Sequence, residues 1–375
     1  MIEIPIIILN WNGFVDTKAC LSALMKQTAK NFKIYLVDNG STDGSSDKLS
    51  RQYENNSKVQ LIFNKKNLGF TKGNNRILSK YILPNKNYEY VILLNNDTIP
   101  TKNWLENLIY AAKANQASIV SSKMVDFFEP HKMDNAGHMM LSTGEILPIG
   151  HGELVTAYER GFDNMGASGG VALYSTQMLK TIGIFDEHFD TGYEDAEFGI
   201  RAFITGYKCW YEPTAVVHHK MGQSIKKIFD YDYSLTIQKN ILYSYFKLMP
   251  LPILIINVPF LLLRLLALLV VSLLFLRLKY FKILFRSLKE TLFNDYNTIK
   301  KARNTFFDNH TLINTSDIIR KQTFFLWFDL KRVYKFFFQG KLSAIDSYGK
   351  IEEGEEETNK VEKELMQIAD NTKSW

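Results

Sequence analysis

Short apolar runs alternate with helical patterns through the first 120 residues, and this order limits the chain to few folds. The apolar runs cover residues 4–9, 32–37, 59–63 and 90–94, and the helical patterns cover residues 16–28 and 70–81. Unbroken apolar runs are typical of strands buried on both faces, and helices between them imply right-handed crossovers. The order therefore predicts an α/β domain with a Rossmann-like, mostly parallel central sheet.

Polar side chains stand directly after the predicted strands. They are Asn10, Asn12, Asp38, Asn95 and Asp97. Ligands of open α/β sheets bind beyond the carboxyl ends of the strands. The pattern therefore predicts a ligand pocket at this edge of the sheet.

Two segments rich in small and amide residues are candidates for contacts with a nucleotide. Asp38 begins a turn, where its carboxylate could accept a hydrogen bond from a base or ribose, although Asp-Asn-Gly-Ser is also ordinary turn chemistry. Asn67, Gly69 and Asn75 lie around a predicted helix start, where the backbone could approach a diphosphate. Helix capping explains this second segment almost as well.

Three acidic residues and one histidine are candidates for chemistry. Asp97 is a hard oxygen ligand at a strand end, where a divalent ion could bridge it to a diphosphate. His219 could complete such a site, although surface histidines usually have no such role. Glu194 and Asp195 begin a predicted helix, where acids interact favourably with the helix dipole. The functional alternative is that one of them is a general base that deprotonates an acceptor hydroxyl.

The order of these motifs resembles the family 2 glycosyltransferases of the GT-A fold, and specifically their rhamnosyltransferase-like branch. The resemblance covers roughly the first 225 residues and is specific because many motifs occur in the family's order. Its motifs are residues 8–12, 37–45, 67–70, 73–75, 94–97, 167–170, 183–187 and 193–195, with Arg201, Ala202, Gly206, Pro213, His219, Gly222 and Ser224.

The resemblance implies roles in binding a nucleotide-sugar donor. Asp38 would hold the nucleotide base, and Asn10 would help to frame that pocket. Asp97 would bind a divalent metal, Mg²⁺ or Mn²⁺, and His219 would contact the metal or the diphosphate. Asn95 stands where many members carry the first aspartate of the metal motif, which leaves fewer protein carboxylates for the ion.

The resemblance also implies the reaction. Asp195 would be the catalytic base, with Glu194 beside it, and Gly169 and Gly170 would line the sugar pocket. One displacement would invert the anomeric carbon as the sugar moves to a hydroxyl of a lipid-linked or cell-surface glycan acceptor. The branch favours dTDP-rhamnose as donor, with UDP-hexoses next.

Two other functions fit parts of the pattern. A nucleotidylyltransferase shares the parallel sheet and the metal, but usually has a glycine-rich loop with a basic residue after the first strand. This chain has Asn10-Trp11-Asn12-Gly13 there. A non-catalytic nucleotide-sugar-binding membrane scaffold would be favoured by loss of Asp97 or Asp195, yet both are present.

The C-terminal half is basic and apolar. Residues 220–341 hold 20 of the 45 Lys and Arg but 7 of the 39 Asp and Glu. This composition favours an anionic membrane surface, and no nucleic-acid-binding module accompanies it. A basic surface without a partner is the simpler alternative.

Residues 251–276 are the most apolar segment. Arg264 divides it into two runs that are each too short to cross a bilayer alone. This favours insertion into the membrane interface, or a re-entrant segment, over a clean span. A buried helical hairpin in a soluble protein is the alternative.

These patterns predict three regions. Residues 1–224 are the catalytic domain, residues 225–350 a helical membrane-associating region, and residues 351–375 an acidic tail. The start of the sequence does not resemble a signal peptide, and Cys20 and Cys209 are expected to be buried packing residues in a reducing compartment. We therefore expect a peripheral or monotopic protein on the cytoplasmic face of the membrane, in an oligomeric state that these patterns do not indicate.

Overall fold

The computed structural model describes residues 3–190, 192–220, 231–274, 276, 278–326 and 328–330. Its strands are β1 (Ile4–Asn10), β2 (Phe32–Asp38), β3 (Val59–Phe63), β4 (Tyr90–Leu94), β5 (Thr98–Pro100), β6 (Ile119–Asp126), β7 (Met133–Asn135), β8 (His138–Met140), β9 (Ile146–Pro148), β10 (Phe162–Asn164), β11 (Val171–Ser175) and β12 (Cys209–His219). Its α-helices are α1 (Phe14–Met25), α2 (Ser45–Tyr53), α3 (Gly69–Ile77), α4 (Trp104–Ala114), α5 (Thr176–Ile182), α6 (Glu194–Ile204), α7 (Tyr231–Leu248), α8 (Leu251–Leu274), α9 (Leu278–Lys289), α10 (Tyr296–Asn309) and α11 (Thr315–Lys321). One-turn π-helical segments follow α3 and α9.

The first four strands form the parallel part of the main sheet, in the spatial order β4-β1-β2-β3. Along β1, Ile6 and Ile8 pack into one core and Ile7 into the core on the opposite face. The predicted apolar runs are thus strands covered on both faces, and helices connect them as predicted.

The rest of the main sheet is mixed rather than mostly parallel. β11 lies antiparallel between β4 and β6, and β12 runs parallel to β6 and antiparallel to β5 and β10. The predicted α/β class is confirmed. The sheet is mixed rather than mostly parallel because β11 lies antiparallel between two of its strands.

Pro213 lies inside one long strand, β12. Its pairing with β6 shifts register between Glu212 and Val216. A proline has no N–H for the ladder, so a bulge is where a strand can accommodate one. Cys209 begins this strand, and both Cys20 and Cys209 are buried free thiols, as predicted.

The C-terminal helices share a core with the sheet domain. Met140, Ile146 and Ala196 pack with Tyr245 and Ile253 in one buried cluster. The helical C-terminal region is confirmed within residues 231–330, whereas residues 221–230 and 331–375, including the predicted acidic tail, lie outside the described residues. The predicted boundary at Ser224 falls there too.

Helix α8 is a single helix of 24 residues that continues through Arg264. The arginine therefore interrupts the apolar run without interrupting the helix. By length and composition it is the one helix in the described residues that could cross a membrane, and 22% of its most apolar window is buried.

Candidate active site

Asn10 and Asp38 end the neighbouring strands β1 and β2 and contact each other. Asn10 Nδ2 donates to Asp38 Oδ1 at 2.8 Å. Asp38 also accepts from the backbone N–H and hydroxyl of Ser41 and from the hydroxyl of Ser46. The carboxylate is only 2% exposed and four donors surround it, so it organises the turn that follows β2.

Asn12 and Asn67 hold the loops around this turn. Asn12 has a positive φ of 52°, and its Oδ1 accepts from Thr42 N–H at 2.8 Å. Asn67 Oδ1 accepts from Asn39 Nδ2 at 2.9 Å and from Gly69 N–H at 2.8 Å. The structure therefore brings Asn10, Asn12, Asp38, Asn67 and Gly69 to one edge of the sheet, as predicted.

Asn75 makes different contacts. Its side chain is buried, and Nδ2 donates to the carbonyl of Phe185 at 2.8 Å and to Glu187 Oε1 at 3.3 Å. In the structure it fixes the loop before α6. Its predicted contact with the donor stays a prediction.

Asn95 and Asp195 lie on opposite sides of the Gly169-Gly170 dipeptide. Asn95 N–H donates to Gly170 O at 2.6 Å, and Gly169 N–H donates to Asp195 Oδ2 at 2.8 Å. A Cβ at Gly170 would clash with Asn95 Nδ2, and one at Gly169 would lie 2.9 Å from Asp195 Cβ. Only glycines allow the segment that follows β4 and the start of α6 to approach this closely.

The two acids that begin α6 have different surroundings. Asp195 is half-buried, and its Oδ1 accepts from Ala196 N–H at 2.7 Å. Glu194 is buried, and among the described residues its Oε2 has no hydrogen-bond partner. Burial and the neighbouring Asp195 raise the pKa of Glu194 to about 8. Glu194 therefore holds its proton more tightly than an exposed carboxyl group does, and of the two acids Asp195 is the more exposed.

Asp97 and His219 meet where β5 pairs with the end of β12. Asp97 Oδ1 lies 3.4 Å from His219 Nε2, and both side chains are about 85% buried, with exposures of 14% and 15%. Asp97 Oδ1 has no hydrogen-bond partner within the described ranges. Although burial opposes it, the carboxylates of Asp97 and Asp134 hold the pKa of His219 well above its ordinary value.

The pair fits a divalent cation in part. An unpartnered carboxylate oxygen facing an imidazole nitrogen offers two protein ligands of suitable types. The part of the chain that the structure describes has no group of three or more His, Cys, Asp or Glu side chains placed to hold a metal. A cation here would therefore take most of its oxygen ligands from a diphosphate and water.

Sequence reasoning missed Asp134 and His151. Asp134 accepts from His219 Nδ1 at 2.6 Å, and its other oxygen lies 3.6 Å from His151 Nδ1. Both residues lie within residues 124–159, where no clear periodicity exists because β7, β8 and β9 are three residues long. No local pattern marked them.

Parts of the chain are similar to known glycosyltransferases. Residues 6–183 match the model of glycosyl transferase family 2. A stretch of 126 residues is 31% identical to the cholesterol galactosyltransferase of Borreliella burgdorferi, and covers 34% of this chain and 34% of that protein. An uncharacterized glycosyltransferase of Haemophilus influenzae is 22% identical over 252 residues, which are 63% of this chain and 71% of that protein.

A solved structure shares the fold. The crystal structure of GalNAc-T7 with UDP, GalNAc and Mn²⁺ superposes with a TM-score of 0.52 at 14% identity, covering 65% of this chain and 48% of that one. This chain thus spans about a third of the Borreliella protein and half of the solved chain. The chain contains a glycosyl transferase family 2 domain, which covers residues 6–183 and is built on a GT-A-like mixed sheet.

Proposed function

We propose that this protein transfers a sugar from a nucleoside diphosphate sugar to a hydroxyl group, with inversion at the anomeric carbon. The observation that carries the proposal is a pair of hydrogen bonds to adjacent glycines. Gly169 binds the half-buried Asp195 carboxylate, and Gly170 binds the backbone of Asn95, which begins the segment that leads to Asp97. A candidate base and a candidate diphosphate site are thereby adjacent at the ligand-binding edge of the sheet.

The donor would bind along the ends of β1, β2 and β4. Asp38 would accept from the nucleotide base by exchanging one of its two serine hydroxyl donors for the base. Asp97 and His219 would hold Mg²⁺ or Mn²⁺. When bound, such an ion stabilises the negative charge of the departing diphosphate.

The protein's own residues would perform the proton transfer. Asp195 takes the proton of the acceptor hydroxyl, and the acceptor oxygen forms a bond to the anomeric carbon. The bond from that carbon to the diphosphate oxygen breaks on the opposite face, and the nucleoside diphosphate leaves. Glu194 is buried and mainly protonated, so it shapes the surroundings of Asp195 rather than acting as the base.

The donor is proposed to be a UDP-hexose or dTDP-rhamnose. The names of the relatives favour the former, since one is a galactosyltransferase and the structural neighbour contains UDP. The name of the same relative, a cholesterol galactosyltransferase, supports a lipid or lipid-linked acceptor over a soluble one. A rhamnosyl donor rests on the branch resemblance alone.

We also propose that α8 lies in the interface of the membrane, on the cytoplasmic face. Midway along this helix, the Arg264 guanidinium donates to Glu145 and to Asp329, each at 2.6 Å. Glu145 belongs to the hairpin between β8 and β9, so one side of α8 is fastened to the sheet domain. A helix held in this way lies along the protein, whereas a spanning helix would leave it.

The opposite side of α8 is apolar and exposed. Its exposed side chains include Ile255, Leu262, Leu263, Leu266 and Val270, with exposures from 47% to 67%. The next helix adds exposed cations, which are Lys279, Lys282, Arg286 and Lys289. An apolar face beside a basic one supports binding to anionic lipid, which would bring a lipid-linked acceptor to the enzyme.

The test is a donor panel on the purified full chain in mild detergent with Mn²⁺. We expect nucleoside diphosphate release and sugar transfer to a lipid extract from one of UDP-glucose, UDP-galactose, UDP-N-acetylhexosamines or dTDP-rhamnose. Formation of pyrophosphate from a nucleoside triphosphate and a sugar 1-phosphate would instead indicate a nucleotidylyltransferase. Donor binding without any turnover would indicate the scaffold.

A further inference from the structure

Asp134 lies between two imidazoles behind the candidate metal pair. It is on β7, which pairs with β6 on the edge where β6 ends beside His219 of β12. Its Oδ2 is 2.6 Å from His219 Nδ1, and its Oδ1 is 3.6 Å from His151 Nδ1. Asp134 is 7% exposed, so its carboxylate depends on these two rings for stabilisation.

This contact determines which nitrogen of His219 faces the candidate cation. A carboxylate can only accept, so His219 Nδ1 must carry a proton in the 2.6 Å contact. The nitrogen that remains, Nε2, is the one that lies 3.4 Å from Asp97 Oδ1. A lone pair of Nε2 beside an unpartnered carboxylate oxygen would be repulsive unless a proton or a metal ion lies between them.

We propose that Asp134 is a positioning residue for the metal site: it holds His219 in the tautomer and ring orientation that present Nε2, together with Asp97, to a divalent cation. The proposal rests on the proposed function, because that function includes a divalent cation at Asp97 and His219. His151 holds Asp134 from its other side, and its Nδ1 also contacts the Asp134 carbonyl oxygen at 3.1 Å. Carboxylate partners of ligating histidines commonly contribute about 10–100-fold to metal affinity.

The experiment measures Mn²⁺ binding to the full chain with UDP or dTDP, by the electron paramagnetic resonance signal of free Mn²⁺. Asp134→Asn should bind Mn²⁺ about 10–100-fold more weakly, because its amide can donate to His219 and favour the wrong tautomer. Asp126→Asn is the matched control, since this nearby carboxylate accepts from the backbone amides of Phe128 and Glu129 and should not affect Mn²⁺ binding.

A second measurement does not depend on the variant being folded. In the wild-type protein with Mg²⁺ and nucleotide, long-range proton–nitrogen spectra should show a proton on His219 Nδ1 and none on Nε2, with His219→Gln used for assignment. The opposite tautomer would overturn the positioning role.

The outcomes separate this proposal from the one it rests on. If the wild type binds Mn²⁺ and folded Asp134→Asn binds it equally well, the positioning role is wrong and the proposed metal site remains. If the wild type itself binds no Mn²⁺ in the presence of nucleotide, the metal part of the proposed function is wrong and the role of Asp134 falls with it.

Discussion

The backbone amide of Gly169 donates a 2.8 Å hydrogen bond to Asp195 Oδ2, and this bond sets the orientation of the carboxylate. The other oxygen accepts from the amide of Ala196. A side chain at Gly169 would contact Asp195 Cβ at 2.9 Å and the Phe70 ring at 3.0 Å. The relationship therefore requires a glycine, and it fixes the candidate base before any acceptor arrives.

Replacing Asp195 by asparagine should abolish transfer but leave donor binding nearly unchanged. Asparagine keeps an oxygen for the Gly169 amide but cannot take the acceptor proton. Loss of a general base typically lowers turnover by about 10²–10⁴-fold. Turnover and donor affinity are measured separately. Glu194→Gln changes a buried and mainly protonated neighbour, so this control should lose much less turnover than Asp195→Asn does. The reverse order of the two variants would move the base to Glu194.

Activity should require a divalent cation and disappear in excess chelator. Asp97→Asn should raise the donor Kd as well as lower turnover, because a neutral amide oxygen binds a divalent cation more weakly than a charged carboxylate does. Asp163→Asn, in an exposed ion pair with Lys208, is the control and should behave as the wild type. Donor binding is followed by calorimetry with and without Mn²⁺. Full activity in chelator would show that another group neutralises the diphosphate.

The stability of the protein should fall as pH rises, through the titration of Glu194. Its pKa is raised from 4.5 to about 8 in the folded state, where burial and Asp195 oppose ionisation. The unfolded chain releases this proton near pH 4.5, so the contribution of Glu194 is fully present below that pH and is lost as pH rises through 8. Melting curves from pH 5 to 9 should show the melting temperature of Glu194→Gln rising relative to that of the wild type as pH increases. Parallel curves would contradict the shift.

Lys247→Met should destabilise the whole sheet domain. Lys247 Nζ donates to Asp186 at 2.6 Å and to Glu197 at 2.7 Å, and it holds the pKa of Asp186 at about 2 despite burial. Glu197 keeps its ion pair with Arg201, whereas Asp186 loses its cation. The loss should therefore approach the lower end of the about 3–5 kcal/mol that removal of one partner of a buried ion pair costs, and it applies at neutral pH, where Asp186 is charged. Chemical unfolding measures it. Lys239→Met removes a more exposed cation and should lower the free energy of unfolding by less. Equal losses in the two variants would contradict a special contribution from the buried ion pairs of Lys247.

Substituting the exposed face of α8 should release the protein from lipid. Leu262→Glu with Leu266→Glu places two charges on this face without touching the core, since both residues are more than half exposed. The fraction of protein that sediments with vesicles of anionic lipid should fall strongly. Lys282→Glu should instead weaken the free energy of lipid binding by about 1 kcal/mol, mainly at low salt. Melting temperature serves as the control for folding. Undiminished sedimentation of the double variant would exclude this face as the membrane contact.

The orientation of α8 can be tested with one added thiol. Cys20 and Cys209 are buried, so a cysteine placed at the exposed Asn309 should be the reactive one. In sealed vesicles it should react with an impermeant reagent only from the side that carries the sheet domain. Reaction from the other side alone would show that the chain crosses between α7 and α10.

The fold could be predicted where local pattern and burial coincide. The strands that end at Asn10, Asp38 and Leu94 are continuous apolar runs because both faces of the sheet are covered, and this pattern is visible in the sequence. The polar residues after them gather at one edge because parallel strands end there together. The fold class and the position of Asn10 and Asp38 at this edge could be predicted from these two facts, whereas the proposed roles of Asp195, Gly169, Gly170 and His219 came from the family resemblance.

Other features depend on partners that are distant along the chain. Asp134 acquires its place from His219, 85 residues later, and Arg264 from Glu145, 119 residues earlier. In the sequence, Arg264 indicated only an interruption of an apolar run, whereas in the fold it is a paired group on a continuous helix. No local periodicity encodes such contacts, so sequence reasoning missed both.

The contact of Lys247 with Glu197 constrains any attempt to redirect the enzyme by recombination. Exchanging C-terminal halves between relatives at the apparent end of the sheet domain would part a lysine on α7 from its two carboxylates and leave each half with a mismatched buried charge. Hybrids should fold only if α6, the loop that carries Asp186 and α7 come from the same parent. The residues that select the acceptor and those proposed for catalysis would then have to be transferred together in such hybrids.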